Sequence, residues 1–264
     1  MLPVRNLVCA FGLTMMFTWE PAKAAEHGTP TAALAASASS VTESVAPKCS
    51  YETLASWHPD GIPKRYCGRQ IARVMGWQGA PWLDRPERLR EERTDQLIEL
   101  LNLKPGMVVA DIGAGTGRLS MQMHAKVRPD GQVWAVDLQA QMVEKLHQVA
   151  RTLNTQSFQV VQSTARSPEL PKGILDMAVM VDAYHEFEFP REMLQALKLA
   201  MKPRGRIVFV EYRAKDPMVP IKALHTMTLE QIRKEAEDLG LVLDRVVTQL
   251  PWQDIVVFRL AGGS

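Results

Sequence analysis

Two aspartates bracket the part of this chain best suited to chemistry. The stretch VVADIGAGTGRLS, residues 108–120, runs from apolar β-branched residues into Asp111, sets Gly113, Gly115 and Gly117 at alternate positions, and then turns amphipathic. VWAVD ends on Asp137, twenty residues beyond Gly117. Glycines let a ligand come close to the main chain, and a helix starting just after them offers unpaired amides and a positive dipole end suited to a carboxylate. An acid directly ahead of the glycines would repel a pyrophosphate but would hold an ammonium. A carboxylate at Asp137 can accept from both hydroxyls of a ribose. Together the acids describe a ligand that joins an amino acid to a ribose. A third group is VDAYHEF, residues 181–187. There His185 has a pKa suited to taking a proton near neutrality, Glu186 is placed to orient it, and Tyr184 offers an aromatic face to a cationic centre.

The elements around these groups alternate. Strand-like runs at 107–112, 132–138, 157–162, 174–182 and 205–213 are separated by helical patterns from Thr116 to Val127, Gln139 to Leu153 and Pro190 to Met201. Another helical pattern covers Leu229 to Leu239. The last two runs, LVLDRVVTQL and DIVVFRL, are joined by a short Pro-Trp turn, which requires a hairpin. The order predicts an α/β fold with a mostly parallel sheet, helices on both faces and a C-terminal antiparallel hairpin. Before it, DRPERLREERTDQLIELLNLKPG predicts a helix capped by Asp84, with Leu89, Leu97, Leu100 and Leu101 on its apolar side. In such a sheet, ligands bind beyond the carboxyl ends of the strands, where VVADIGAGTG lies.

The N-terminal third reads differently. Arg5, the apolar run LVCAFGLTMMFTW and the Ala22-x-Ala24 pattern make residues 1–24 an export signal, too short for a comfortable bilayer span. Residues 25–48, rich in Ala, Ser and Thr, read as a disordered tether. These features predict an exported protein, in a bacterium a periplasmic one. Cys49 and Cys67 are then a natural disulfide pair, with two free buried thiols as the alternative. Residues 49–94 form an N-terminal extension ahead of the main domain at 95–264. Its apolar segment 66–83 is either a lid, with Trp77 and Trp82 over a hydrophobic substrate, or a helix packed on the sheet.

VVADIGAGTGRLS, VWAVDLQAQMV, LDMAVMVDAYHEF and the terminal hairpin resemble a class I S-adenosylmethionine-dependent methyltransferase over roughly residues 95–260. Narrower stretches, GRQIARVMGWQGAPWLDRPER and EYRAKDPMVPIKALHTM, are similar to exported bacterial methyltransferase-domain proteins. The resemblance implies a Rossmann-like seven-stranded sheet, S-adenosyl-L-methionine as cofactor and a small-molecule methyl acceptor. The implied cofactor positions are Asp111, Gly113, Ala114, Gly115, Thr116, Gly117, Asp137, Leu138, Ser163, Thr164 and Asp182. Asp111 and the glycines would meet the methionine part and Asp137 the ribose. The family usually has an acid facing adenine after the third strand, where this chain has Ser163 and Thr164. His185, Tyr184 and Glu186 are the implied catalytic positions.

Other classes fit less of the pattern. A nucleotide-dependent oxidoreductase is opposed by Asp111 and by Gly117 falling one residue early for G-x-G-x-x-G. A non-catalytic binder on the same fold draws support from the missing adenine acid. HEFEF is not the zinc pattern His-Glu-x-x-His, because Phe189 stands at the last position. A net charge of +2 makes no electrostatic case for nucleic acid or an anionic membrane surface. Glu211 and Arg213 end the fifth strand, either lining the substrate side or forming a salt link, and His225 in LHTM follows them.

Overall fold

A computed structural model describes residues 49–262. The expected signal at 1–24 and tether at 25–48 lie outside the described residues. Seven strands form one sheet: β4 (Val108–Ile112), β5 (Gln132–Asp137), β6 (Phe158–Gln162), β7 (Leu175–Val181), β8 (Met201–Tyr212), β9 (Leu241–Val247) and β10 (Gln253–Leu260), in the order β6-β5-β4-β7-β8-β10-β9. The first five pair in parallel, and β10 runs antiparallel between β8 and β9, as expected from the short turn. The order reverses at β4, with β5 and β6 on one side and β7 and β8 on the other. The carboxyl end of β4 is thus the switch point where such sheets bind ligands.

Strand residues alternate between two cores. Val208 and Val210 of β8 join a cluster with Leu97, Leu119, Met123 and Leu146, and Ile207 and Phe209 join one with Leu194, Leu197 and Ile232. The first core lies under α3 (Thr94–Leu100), α4 (Arg118–Val127) and α5 (Ala140–Leu153), and the second under α6 (Pro190–Ala200) and α7 (Leu229–Glu237). These parallel strands, covered on both faces, carry long apolar runs.

The extension departs from expectation. Residues 51–72 form a three-stranded antiparallel meander, β1 (Tyr51–Thr53), β2 (Gly61–Tyr66) and β3 (Arg69–Ala72); of segment 66–83, read as a lid or a packed helix, only Ala80–Leu83 is α-helical. Cys67 (φ 52°) and Gly68 (φ 93°) connect β2 to β3. Two positive φ values in succession make the tight hairpin turn whose twist suits flanking strands. Cys49 lies beside Cys67 at a Cα–Cα distance of 4.4 Å, in disulfide linkage. The single helix expected from Asp84 is two, α2 (Arg88–Glu92) and α3, parted by Arg93 in the left-handed region (φ 50°). Asp84 caps neither; its carboxylate accepts from the Thr116 hydroxyl at 2.7 Å. Leu97 and Leu101 are buried as expected, but Leu89 is exposed, and α2 buries Arg88 and Glu92 instead. A further short helix, α1 (Ala80–Leu83), precedes them.

Candidate active site

The bend after β4 requires glycine twice over. Gly113 (φ 79°) and Gly115 (φ 56°) adopt left-handed backbone. A Cβ on Gly113 would lie 2.7 Å from that of Ala183, and one on Gly115 would lie 2.7 Å from Leu83 Cδ1. The bend is stitched to the neighbouring strand. Gly113 and Ala114 donate their amides to the Val136 carbonyl at 2.8 and 3.0 Å, and Gly115 donates to Asp137 Oδ2 at 2.9 Å. These three amides already have acceptors inside the protein, so the loop is a fixed wall more than an open cradle. Asp137 Oδ1 accepts from the Gln139 amide at 2.9 Å. Each carboxylate oxygen has a further lone pair for a ribose hydroxyl. Burial pushes the Asp137 carboxyl above its ordinary pKa, and its two amide donors oppose that.

Beyond these strand ends lies a cavity of about 610 Å³. Of the positions singled out in the sequence, it is lined by Gly113, Gly115, Asp137, Leu138, Ser163, Thr164, Asp182, His185 and Glu186. Asp111, Ala114, Thr116, Gly117 and Tyr184 do not line it. Asp111 is buried beneath the loop and accepts the Ser120 hydroxyl at 2.5 Å, tying β4 to α4. Burial pushes its pKa to about 6. Thr116 faces Asp84 and a separate groove beside α4. The Thr164 hydroxyl accepts from the Arg166 and Ser167 amides within its own turn. Asp182 has positive φ (51°). One of its oxygens accepts from Gln253 at 3.0 Å; the other is buried without a partner. Burial first, then the Glu92 charge, raise the Asp182 pKa well above the carboxylate range.

Tyr184 is corrected from an exposed aromatic face to a core side chain. It is fully buried, with its ring edge-on to Phe209 at 4.8 Å and its hydroxyl donated to Glu235 at 2.8 Å. Glu235 also receives Arg69 at 2.6 and 3.1 Å, and Arg69 donates to the His185 carbonyl at 3.0 Å. Two elements remote in sequence, β3 and α7, thereby hold the turn that carries His185.

The partner of His185 also differs from expectation. The register Val181↔Val210 brings the residues following β7 alongside Glu211. Glu211 Oε2 lies 2.5 Å from His185 Nδ1, while Oε1 accepts from the Tyr184 amide at 2.9 Å. Glu211 therefore orients the imidazole, the role assigned above to Glu186. His185 is 2% exposed. Burial works against its protonation, but the Glu211 charge and hydrogen bond prevail and raise its pKa. On the other edge of the ring, Nε2 lies 3.2 Å from His225 Nδ1. Glu186 lies 3.2 Å from that His225 atom, and its Oε1 accepts from the Met75 amide at 3.0 Å. Arg213 is a structural link, bonded to Asp216 and to the carbonyls of Leu250 and Gln253.

The extension adds Val74, Met75, Trp82 and Leu83 to the lining. It is pinned where Gln139 donates to the Met75 carbonyl at 3.0 Å and accepts from the Trp77 amide at 2.8 Å. Trp82 lines the cavity and stacks on Arg85 at 3.6 Å, whereas Trp77 does not line it. Of the acids lining the cavity, Asp60 pairs with Lys222 and Glu188 with Lys64, and Asp182 is pushed toward its neutral form. Asp137 and Glu186 are left without a Lys or Arg partner among the described residues, which suits a ligand with positive charge.

A doubly covered sheet with this switch point, and a glycine bend bonded to an acid on the next strand, define the class I methyltransferase fold. The family model for a methyltransferase domain matches residues 103–258, and the chain belongs to that family. It is 26% identical over 172 residues to the ubiquinone/menaquinone biosynthesis C-methyltransferase UbiE of Bordetella parapertussis, covering 55% of this chain and 65% of that protein. It is 27% identical over 135 residues to UbiE of Coxiella burnetii, covering 50% and 52% of the two chains. The chain thus spans less than two thirds of these relatives. A SAM-dependent methyltransferase from Aquifex aeolicus superposes with a TM-score of 0.66 at 24% identity, over 70% of this chain and 98% of that one. The [4+2]-cyclase SpnF superposes at 0.54 with 15% identity, over 63% and 81%. A shared fold therefore leaves the reaction to the site.

Proposed function

We propose that this protein transfers the methyl group of S-adenosyl-L-methionine to a small, uncharged or amphipathic acceptor held beneath residues 74–83. One observation carries the reading: Asp137, its two oxygens fixed by Gly115 and Gln139, opens onto an acid-rich cavity at the switch point. In this reading Asp137 would hold the ribose and Ser163 would meet the base when S-adenosylmethionine is bound. Asp111 acts indirectly, by holding the glycine bend through Ser120. The acceptor's nucleophilic atom attacks the methyl carbon as the carbon–sulfur bond breaks, leaving S-adenosylhomocysteine. In its neutral form, with Nδ1 donated to Glu211, His185 carries on Nε2 the lone pair that takes the acceptor's proton. Positioning and exclusion of water supply most of the acceleration.

A second reading, a binder without catalysis, draws on the adenine position, where no acid stands and the Thr164 hydroxyl is used within its own turn. Titration calorimetry with S-adenosylmethionine, S-adenosylhomocysteine and NAD tests the primary reading. Both adenosyl ligands should bind, with loss on Asp137→Ala, and NAD should not. Binding of NAD alone, or of none of the three, overturns the methyltransferase reading. Binding of the adenosyl ligands without methyl transfer to any acceptor in an extract supplied with labelled cofactor favours the binder. We further propose export to the bacterial periplasm, consistent with the Cys49–Cys67 linkage, which persists in oxidising compartments. N-terminal sequencing of the chain from fractionated cells should begin at Ala25; a cytosolic chain retaining residues 1–24 refutes this.

A further inference from the structure

We infer that His185, His225 and Glu186 form a site for one divalent first-row metal ion, zinc or an ion of similar size and ligand preference, at the acceptor end of the cavity. Among the described residues, they are the one gathering of three or more His, Cys, Asp or Glu side chains with converging donor atoms. His185 Nε2 lies 3.2 Å from His225 Nδ1 and 3.9 Å from Glu186 Oε1, and His225 Nδ1 lies 3.2 Å from that oxygen. A triangle with these sides has a circumscribed radius of about 2.0 Å, which is the distance zinc keeps from imidazole nitrogen and carboxylate oxygen. An ion near its centre therefore lies at bonding distance from all three donor atoms.

The surroundings fit this use. Metal-ligating imidazoles characteristically donate their other nitrogen to a carboxylate or carbonyl, which sets the tautomer and strengthens the ligand. Glu211 does this for His185 at 2.5 Å. Glu186 is steadied by the Met75 amide. Among the described residues no lysine or arginine forms an ion pair with Glu186 or Glu211; Arg69 is paired with Glu235 and Lys222 with Asp60 at 2.6 Å. The Glu186 and Glu211 charges share their corner with two imidazoles. Two imidazoles and one carboxylate also leave coordination positions open, as in catalytic zinc sites, and all three side chains line the cavity. A hydroxyl or thiol in an open position would ionise more readily. In the loaded protein that effect replaces proton capture by His185, whose lone pair is occupied. The inference does not depend on methyl transfer, because metal binding is read without cofactor.

The competing account is a His–His–Glu hydrogen-bonded relay that holds no ion. To separate the two, the full chain, prepared without a polyhistidine tag and stripped with chelator, is titrated with Co²⁺ by visible absorption and with Zn²⁺ against a chromophoric chelator. One equivalent should saturate the protein and produce ligand-field bands. His225→Ala and Glu186→Gln, each with wild-type circular dichroism, should weaken binding about 100-fold, and Glu211→Gln about 10- to 100-fold. Saturation below half an equivalent, bands unchanged in both ligand variants, or ligand-variant losses under about tenfold overturn the assignment.

Discussion

Replacing Asp111 by Asn should stabilise the protein at neutral pH and leave cofactor affinity nearly unchanged. The carboxyl is buried and its pKa is pushed up to about 6 from an ordinary 3.8. A carboxyl whose folded pKa is raised weakens the fold once it ionises. Below about pH 4 it is protonated in both folded and unfolded chains and costs nothing; above about pH 6 it is charged in both, and the cost is complete. The difference between the two values corresponds to about 3 kcal/mol at 1.36 kcal/mol per unit. Asn keeps an acceptor for the Ser120 hydroxyl, but its amide hydrogens need partners, which takes back about 1–2 kcal/mol. A net gain of about 1–2 kcal/mol raises Tm by roughly 2–8 °C in a domain of this size. Thermal unfolding of the cofactor-free protein from pH 4.5 to 8 reads it: the gain should grow through pH 6 and be smallest at the acid end. A variant no more stable at pH 8, or equally stabilised at pH 4.5, refutes the burial argument. Calorimetry supplies the second readout. An affinity loss beyond about thirtyfold, near 2 kcal/mol, would restore the direct ammonium contact that the sequence suggests.

Asp137→Asn removes one oxygen acceptor facing Gly115 or Gln139 and the charge presented to the ribose; S-adenosylhomocysteine affinity should fall about 10- to 100-fold, and an unchanged Kd refutes the assignment. Tyr184→Phe deletes a buried hydrogen bond to the Glu235 carboxylate and should cost about 1.5–3 kcal/mol in denaturant unfolding while leaving cofactor affinity alone; the opposite pattern would return Tyr184 to the cavity. Reduction of the Cys49–Cys67 link, which closes a loop of sequence separation 18, should lower stability by about 3 kcal/mol in the chain-entropy picture, read as a drop in Tm with reductant. Trp82→Ala removes an extension side chain from the cavity lining and should weaken acceptor capture without changing cofactor affinity; equal losses for both would show that the extension serves the cofactor.

The strands, their alternation with helices and the closing hairpin were legible because each is written in a local period: apolar runs bounded by glycine, proline and polar turns. The glycine bend and Asp137 were legible for a related reason, since strand ends and the turns after them are contiguous in the chain. The extension was harder to read. GIPKRY and RQIA alternate weakly, and the turn between them uses Cys67 where Asn or Asp would have signalled a hairpin. The break in the Asp84 helix rests on one non-glycine residue, Arg93, in a left-handed conformation that no composition rule foretells.

Sequence alone thus determined the sheet and placed the candidate site, with Asp137, at its switch point; that Asp111 lies beneath the bend, bonded to Ser120, came from the structure. Tertiary structure decided which side chains meet there. Glu211 reaches His185 because β7 and β8 pair in one particular register; His225 arrives from a loop forty residues downstream of His185; and Glu235 removes Tyr184 from the cavity by bonding its hydroxyl in the core. Absence of a His-Glu-x-x-His spacing said nothing about a metal triad assembled across the fold. Local periodicity follows from backbone geometry and can be read along the chain, whereas convergence of remote side chains depends on strand register and packing, which set distances in space that sequence separation does not encode.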